Sequence, residues 1–272
     1  MIPQKVPRKV LLAVAFIAFA VTGCGTLQNG RGWGQDAIYP LDLKRIPSAA
    51  INALLDPQTL IPVAGALVFT VDDYDRKVSD WARRHTPIFG SNKTADNAYS
   101  PLRTTLEAEW YLTVVATPSG ENPKDIVFSK MKGWAVGWVA QQATSETTSF
   151  IKDQTGRTRP DGSDNQSFPS SGSSTAFTYA TLANRDLDSI PVPDEVKVPL
   201  KIGNILLATT VAWSRVEAGA HFPSDVLVGA ALGHFISAFI YDAFMGLPED
   251  RRFIFFVSPS KRGAMIEGAY AF

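Results

Sequence analysis

Cysteine is almost absent from this chain: Cys24 is the only one in 272 residues. No disulfide can form within the chain, and a cysteine-built zinc site is excluded. Histidine is nearly as scarce, at three residues (His85, His221 and His234), and none of them falls in a metal-binding spacing. Charge of one sign is also missing, since Lys+Arg and Asp+Glu both number 26, so no bulk basic field points to nucleic acid. No internal repeat and no P-loop are present. Long hydrophobic runs are lacking too. There are 13 uncharged residues between Lys201 and Arg215 and 16 between Asp225 and Asp242, short of the roughly 20 that a membrane-crossing helix needs. These stretches are expected to be core helices of a globular domain, not spans of a polytopic membrane protein.

What is present begins with a targeting segment. Lys5, Arg8 and Lys9 form a positive start, and Val10 to Val21 is almost wholly apolar, the pattern of an export signal. Val21-Thr22-Gly23-Cys24 follows and resembles the lipobox of bacterial lipoproteins. That resemblance implies cleavage before Cys24, lipidation of its thiol and attachment to a membrane. Gly25 in the next position resembles lipoproteins sorted to the outer membrane, with the body facing the periplasm. Removal of residues 1–23 takes three cations and no anions, leaving a net charge of −3.

Residues 24–45 are Gly-rich and polar at their start and are expected to be a flexible tether. Residues 46–250 carry helical patterning. Short helices are expected over Pro47–Asp56, Leu60–Val71 (apolar, hence buried) and Tyr74–Arg84. Longer ones follow over Leu102–Thr117, from Pro123 towards Lys152, over Ser173–Asn184 and Val198–Arg215, and over Pro223–Phe244. Gly133 and Gly137 lie on one face, where another helix could approach. Ile190 to Pro199 reads as a Pro-rich connection. Residues 251–272 are expected to form a hairpin, with Phe253–Val257 as one strand. The fold class expected is an all-α helical bundle with a small C-terminal β-hairpin.

Chemistry-bearing residues concentrate between Lys152 and Asp225. Lys152 and Arg159 place two cations at a helix end, since Pro160 disfavours a helical residue before it. Arg157 is the cation expected to face solvent. Ser170, Ser171 and Gly172 lead into a helix whose first amides make an anion cradle. Arg215 closes one helix, and His221 and Asp225 follow four apart, with Pro223 suited to a first turn. A carboxylate at Asp225 can accept from one imidazole nitrogen and leave the other free as base or nucleophile. Each feature alone has an ordinary structural explanation: a solvated basic terminus, an N-cap, a structural hydrogen bond. Together they favour a site for a phosphate-like oxyanion.

The order Lys-x6-Arg-Pro, then Ser-Phe-Pro-Ser, then Ser-Arg-x5-His-x3-Asp resembles the signature of the type 2 phosphatidic acid phosphatase superfamily. That superfamily also holds bacterial acid phosphatases and vanadium haloperoxidases. The resemblance runs over about residues 100–245. It implies a helical-bundle phosphatase that needs no metal and no cofactor, with vanadate as an inhibitor or, less readily, a cofactor. It assigns phosphoryl oxygens to Lys152, Arg159 and Arg215, with Ser170 and the Gly172 amide beside them. His221 is the implied nucleophile, forming a phosphohistidine, and Asp225 its orienting carboxylate. The sequence departs from the family at Gly172, where the family has the histidine that protonates the leaving oxygen. General acid catalysis is worth roughly 10²–10⁴-fold, so a phosphatase lacking it is slowed unless another group serves. His85, His234 and Glu217 are the replacements that the sequence offers, each weakly.

The expected function is hydrolysis of a phosphate ester or anhydride on a phosphorylated small molecule or lipid. An anhydride is favoured, because its leaving group needs least help. The alternative is a pseudoenzyme that keeps the pocket to bind phosphate or a lipid headgroup. The expected partners are that ligand and a membrane reached through the lipid anchor.

Overall fold

The computed structural model describes residues 25–38, 43 and 45–247, with the backbone alone at 253–260 and 263–270. The signal segment and Cys24 lie outside the described residues. Eight helices make the described body: α1 (Arg45–Leu55), α2 (Pro57–Phe69), α3 (Tyr74–His85), α4 (Asn92–Ala116), α5 (Pro123–Thr155), α6 (Ser171–Ser189), α7 (Asp194–Glu217) and α8 (Pro223–Phe244).

Local chemistry explains most of the boundaries. Asp56, Ser91, Asn122 and Ser170 cap α2, α4, α5 and α6, each accepting from an amide in the first turn. Proline opens α2, α5 and α8, where its missing N–H has no intrahelical partner to lose. Gly156 ends α5 at φ +56° and donates its amide to the Lys152 carbonyl. Two starts lie furthest from expectation. α4 begins at Asn92, before Pro101, and α7 begins at Asp194, before Pro199. The acidic Asp194 and Glu195 favour the positive end of the α7 dipole. The Pro-rich connection is correspondingly short.

α8 is the central helix, buried against α6, α2, α5 and α1. Its glycines decide how close α6 comes. A Cβ on Gly229 would lie 2.6 Å from the Ser170 carbonyl oxygen, and one on Gly233 2.2 Å from that of Ser174. Only a missing side chain allows that approach, which seats the start of α6 beside the start of α8. Gly133 and Gly137 of α5 receive not a helix but two indoles, Trp33 and Trp110.

Trp33 belongs to the segment expected as a loose tether, and residues 25–38 are instead packed on the body. Gly25 and Gly120 exchange backbone hydrogen bonds at 2.9 and 2.8 Å, and the Trp33 amide donates to Pro118 O at 2.7 Å. The buried Trp33 indole donates to Tyr241 Oη at 2.9 Å, which donates to Asp186 Oδ1 at 2.8 Å. Thr113 donates to the other oxygen at 3.0 Å. Burial pushes the Asp186 carboxyl up to about 8.

The outward faces are more apolar than expected. Ile61, Leu67 and Val68 of α2 are 63–70% exposed, although a buried helix was expected there. Val198, Ile202 and Leu206 of α7 and Phe128, Trp138 and Phe150 of α5 are exposed as well. Among the described residues one helix, α8, is long and apolar enough to cross a membrane, and most of it is buried in the bundle. The backbone at Phe253–Ser260 and Gly263–Tyr270 runs as two antiparallel segments. The body is built by the helices alone, and the C-terminal hairpin remains an expectation.

Candidate active site

One end of the bundle gathers the C-terminal end of α5, the N-terminus of α6, the C-terminal end of α7 and the N-terminus of α8. The turn that carries His221 is set by its own backbone. The amides of Ala220 and His221 both donate to the Arg215 carbonyl, at 3.0 and 3.2 Å. Gly219 adopts φ +79°, and a Cβ there would meet Arg83 of α3 at 2.7 Å. Arg83 in turn donates to the Pro160 carbonyl at 2.8 Å, and the Asp161 amide donates to Gly219 O at 3.1 Å. The loop after α5 and the turn after α7 are therefore bound to each other.

His221 is buried, and its Nδ1 lies 2.6 Å from the Ser167 carbonyl oxygen. A carbonyl only accepts, so Nδ1 carries the proton and Nε2 keeps a lone pair. This corrects the expected partner, since the nearest carboxylate oxygen of Asp225 is 3.8 Å from Nδ1. Asp225 acts through the surrounding frame. It is fully buried, and its Oδ2 accepts from the Phe222 amide at 2.8 Å and from Ser167 Oγ. Its own carbonyl accepts from the Ser170 amide at 3.0 Å. Asp225 thereby holds both the residue whose carbonyl fixes the imidazole and the N-cap of α6. Burial lowers the His221 pKa below its ordinary value, a shift that the nearby Asp225 charge only partly opposes. Burial would raise that of Asp225, but its contacts with His221, Arg157, Ser167 and the Phe222 amide hold it below the usual carboxylate range.

Arg157, expected to face solvent, is instead an anchor. It donates to Asp225 Oδ1 at 2.6 Å, to Ser224 Oγ at 2.8 Å and to Asp75 Oδ2 at 2.7 Å. Its guanidinium lies 4.1 Å from the centroid of the Phe222 ring. Asp75 of α3 also accepts from the Ser224 amide at 2.8 Å. A buried Asp225 carboxylate needs such a cation, because an unpaired charge in that position would be costly.

The residues expected to hold an oxyanion line the same end. Lys152 is buried, with its Nζ donating to the Gln166 carbonyl at 2.6 Å. Burial and then the Arg159 charge lower its ammonium to about 8. Arg159 donates to Asp164 Oδ1 at 2.6 Å and to the Ala220 carbonyl at 3.2 Å, next to His221. Ser170 is the N-cap of α6, and its Oγ accepts from the Ser173 amide at 3.3 Å. Among the described residues the amides of Ser171 and Gly172 meet no acceptor, which leaves the helix N-terminus open to an anion. Arg215 bonds Asp96 of α4 at 2.7 Å and stacks 4.6 Å from the Tyr99 ring centroid.

The residues offered by the sequence as a leaving-group acid are committed elsewhere. His85 is exposed, bonded through Nδ1 to Trp81 O at 2.9 Å and stacked on the Trp81 ring. His234 is buried, with Nδ1 2.9 Å from Thr181 Oγ1 and Nε2 3.4 Å from Asp56. Glu217 is fully buried and accepts from the Ile88 and Phe89 amides, both at 3.0 Å, and from Trp213 Nε1 at 2.6 Å. It pins the loop before α4. Sequence spacing gave no sign of Asp75, Asp96 or Tyr99, which come from helices far upstream of the motifs.

Residues 138–247 match the family described as the PAP2 superfamily. The chain is 37% identical over 79 residues to a lipid A 1-phosphatase of Porphyromonas gingivalis, a match covering 29% of this chain and 16% of that protein. It thus spans about a sixth of the length of that relative. Its fold is similar to the crystal structure of a transmembrane PAP2 type phosphatidylglycerolphosphate phosphatase from Bacillus subtilis. The TM-score is 0.50 at 20% identity, over 70% of this chain and 93% of that one. The helical body therefore has the PAP2-type fold, and residues 138–247, which hold the whole stretch from Lys152 to Asp225, carry the PAP2 superfamily match.

Proposed function

We propose that this chain is a phosphatase that hydrolyses a phosphate ester or anhydride through a phosphohistidine at His221. The observation that carries the reading is the Nδ1–H donated to the Ser167 carbonyl, which leaves Nε2 as a lone-pair donor at the cationic end of the bundle. Lys152, Arg159, Arg215 and the first amides of α6 would hold the phosphoryl oxygens, and phosphoryl transfer depends mostly on such positioning and charge stabilisation. Nε2 attacks phosphorus and the bond to the leaving oxygen breaks. Water then attacks the phosphohistidine, and the P–N bond breaks with its electron pair returning to Nε2. The protein cations supply the compensating charge, so turnover is expected to persist in a chelator. Vanadate, as a phosphate-like oxyanion, is expected to compete for the same pocket.

A lipid phosphate is the substrate class favoured. Both similar proteins act on phosphorylated lipids by their descriptions, and α2, α5 and α7 present exposed apolar residues. Lipidation of Cys24 and an outer-membrane, periplasm-facing location remain part of the proposal. Gly25 pairs with Gly120 just before α5, whereas Lys152 lies in the last turn of that 33-residue helix, about 45 Å along it at 1.5 Å per residue. A lipid in the anchoring membrane would reach His221 only with the bundle lying along the bilayer on its apolar faces.

The test is phosphate release from lipid and soluble substrates by the purified chain, with and without chelator, against His221→Ala. Loss of at least about 10³-fold on removing a nucleophile is the expected outcome. Equal rates in the two proteins would sink the reading. Gly172, with no proton to give, favours a second reading as a phosphate- or headgroup-binding protein. An inactive chain that still binds vanadate would establish it.

A further inference from the structure

Gly172 leaves no gap. A Cβ built on it would lie 2.8 Å from Tyr99 Cε2 and 3.4 Å from Tyr99 Cζ, and 3.4 Å from Arg215 Cγ. The place where a side chain at 172 would begin is filled by the edge of the Tyr99 ring that carries the hydroxyl. We propose that Tyr99 is the proton donor to the leaving oxygen, delivered from α4 into the space that Gly172 vacates. The inference rests on the phosphatase reading and adds the residue which that reading lacks.

Four observations support it. Tyr99 is half-buried against the core, so its ring is held by packing. Its face stacks on the guanidinium of Arg215, 4.6 Å from the centroid, beside one of the three proposed oxyanion cations. Its hydroxyl makes no hydrogen bond among the described residues, so its proton is uncommitted. The helix that carries it is tied to the site. Glu217 accepts the Ile88 and Phe89 amides, Asn92 Nδ2 donates to the Glu217 carbonyl, and Asp96, one turn before Tyr99, bonds Arg215. Asp96 is already engaged with Arg215 in that ion pair. Tyrosine is among the side chains that serve as general acids.

The step balances without another reactant. As Nε2 of His221 bonds phosphorus, the bond to the leaving oxygen breaks with its electron pair, and the Tyr99 hydroxyl passes its proton to that oxygen. The phenolate that remains lies over the Arg215 cation. In the second step the attacking water gives its proton to that phenolate, and phosphate leaves as Nε2 regains its pair.

The experiment compares the full chain with Tyr99→Phe, which keeps the ring and its stacking, on three phosphates of falling leaving-group acidity: pyrophosphate, an aryl phosphate and an alkyl phosphate. The expected result is a fall in kcat of about 10²–10⁴-fold on the alkyl phosphate. KM should stay within a few-fold of wild type, and the fall in kcat should be smallest on pyrophosphate. Alkyl phosphate turnover unchanged in Tyr99→Phe, or a fall of equal size on all three substrates, would overturn the proposal. Gly172→His in a Tyr99→Ala background opens the space for an imidazole and is expected to recover alkyl phosphate hydrolysis over Tyr99→Ala alone. No recovery in a double variant that still binds vanadate would also count against it. His221→Ala is run in parallel: if wild type releases no more phosphate than this variant, the phosphatase reading itself fails, and the donor with it.

Discussion

The proposed nucleophile side and the proposed leaving-group side of this site are built in different ways. His221 sits in a short piece of chain held by a dense set of hydrogen bonds that leaves Nε2 free. Ser167 O takes Nδ1–H, Asp225 ties Ser167, Phe222 and Ser170 together, and Arg157 joins Asp225 to Asp75. The opposite side is one helix, α4, laid across Arg215 and Gly172 through Asp96 and Tyr99, with Asp96 64% exposed. The first side is made by neighbours in the motifs and leaves one geometry. The second comes from a helix that the motifs do not include, so the identity of residue 172 does not by itself settle whether a proton donor is present.

The largest expected effect that separates the two sides comes from Arg157→Ala. It strips the buried Asp225 of its cation, and breaking such a pair costs about 3–5 kcal/mol, here discounted to about 2–3 because Arg157 is a third exposed. Thermal unfolding should move down accordingly, and phosphate release should fall with it. A variant that keeps both would show that the nucleophile side is less tightly framed than its bonds indicate.

A pH profile sharpens the comparison with less disturbance. His221 must be neutral to attack, and burial lowers its pKa, so kcat/KM should rise through a limb below the ordinary histidine value of 6.5. Lys152 must be charged to hold phosphate, and it titrates near 8, so kcat/KM should fall above that pH. The free enzyme's profile is then a bell between those limits. Lys152→Arg, which keeps its charge at higher pH, should remove the alkaline limb. A limb unmoved by that change would assign it to another group.

The smallest effect belongs to Asp96→Asn. The exposed carboxylate engages Arg215, and such pairs contribute about 0.2–1 kcal/mol. Its removal should leave folding unchanged and tighten phosphate or vanadate binding by no more than about fivefold, read by titration. Weaker binding would mean that Asp96 orients Arg215 more than it competes with the ligand.

How much was legible in the sequence follows the same division. The helices with caps or an opening proline could be read closely, and α8 starts and ends where its pattern predicts. That Lys152, Arg159, Arg215, His221 and Asp225 carry the chemistry is an expectation from the motifs, and the packing of α5, α6, α7 and α8 is what brings them to one end. Partners could not. Ser167 offers His221 its carbonyl, which residue type does not encode, and Arg157 meets an aspartate 82 positions upstream. Tyr99 reads as an unremarked aromatic until α4 is laid over Gly172. Burial was misjudged at α2, because an apolar stretch of that length looks the same whether it faces a core or the outside.

The central claim is that His221 Nε2 takes up the phosphoryl group, and it is tested most directly by trapping. The purified chain is mixed with a 32P-labelled substrate, quenched within milliseconds, and the label on the protein is characterised. The prediction is an acid-labile, alkali-stable phosphoryl group that maps to His221 and is absent from His221→Ala, with more label accumulating when water attack is slowed. Substrate turnover with no labelled protein at any time, or label that persists in His221→Ala, would contradict the account.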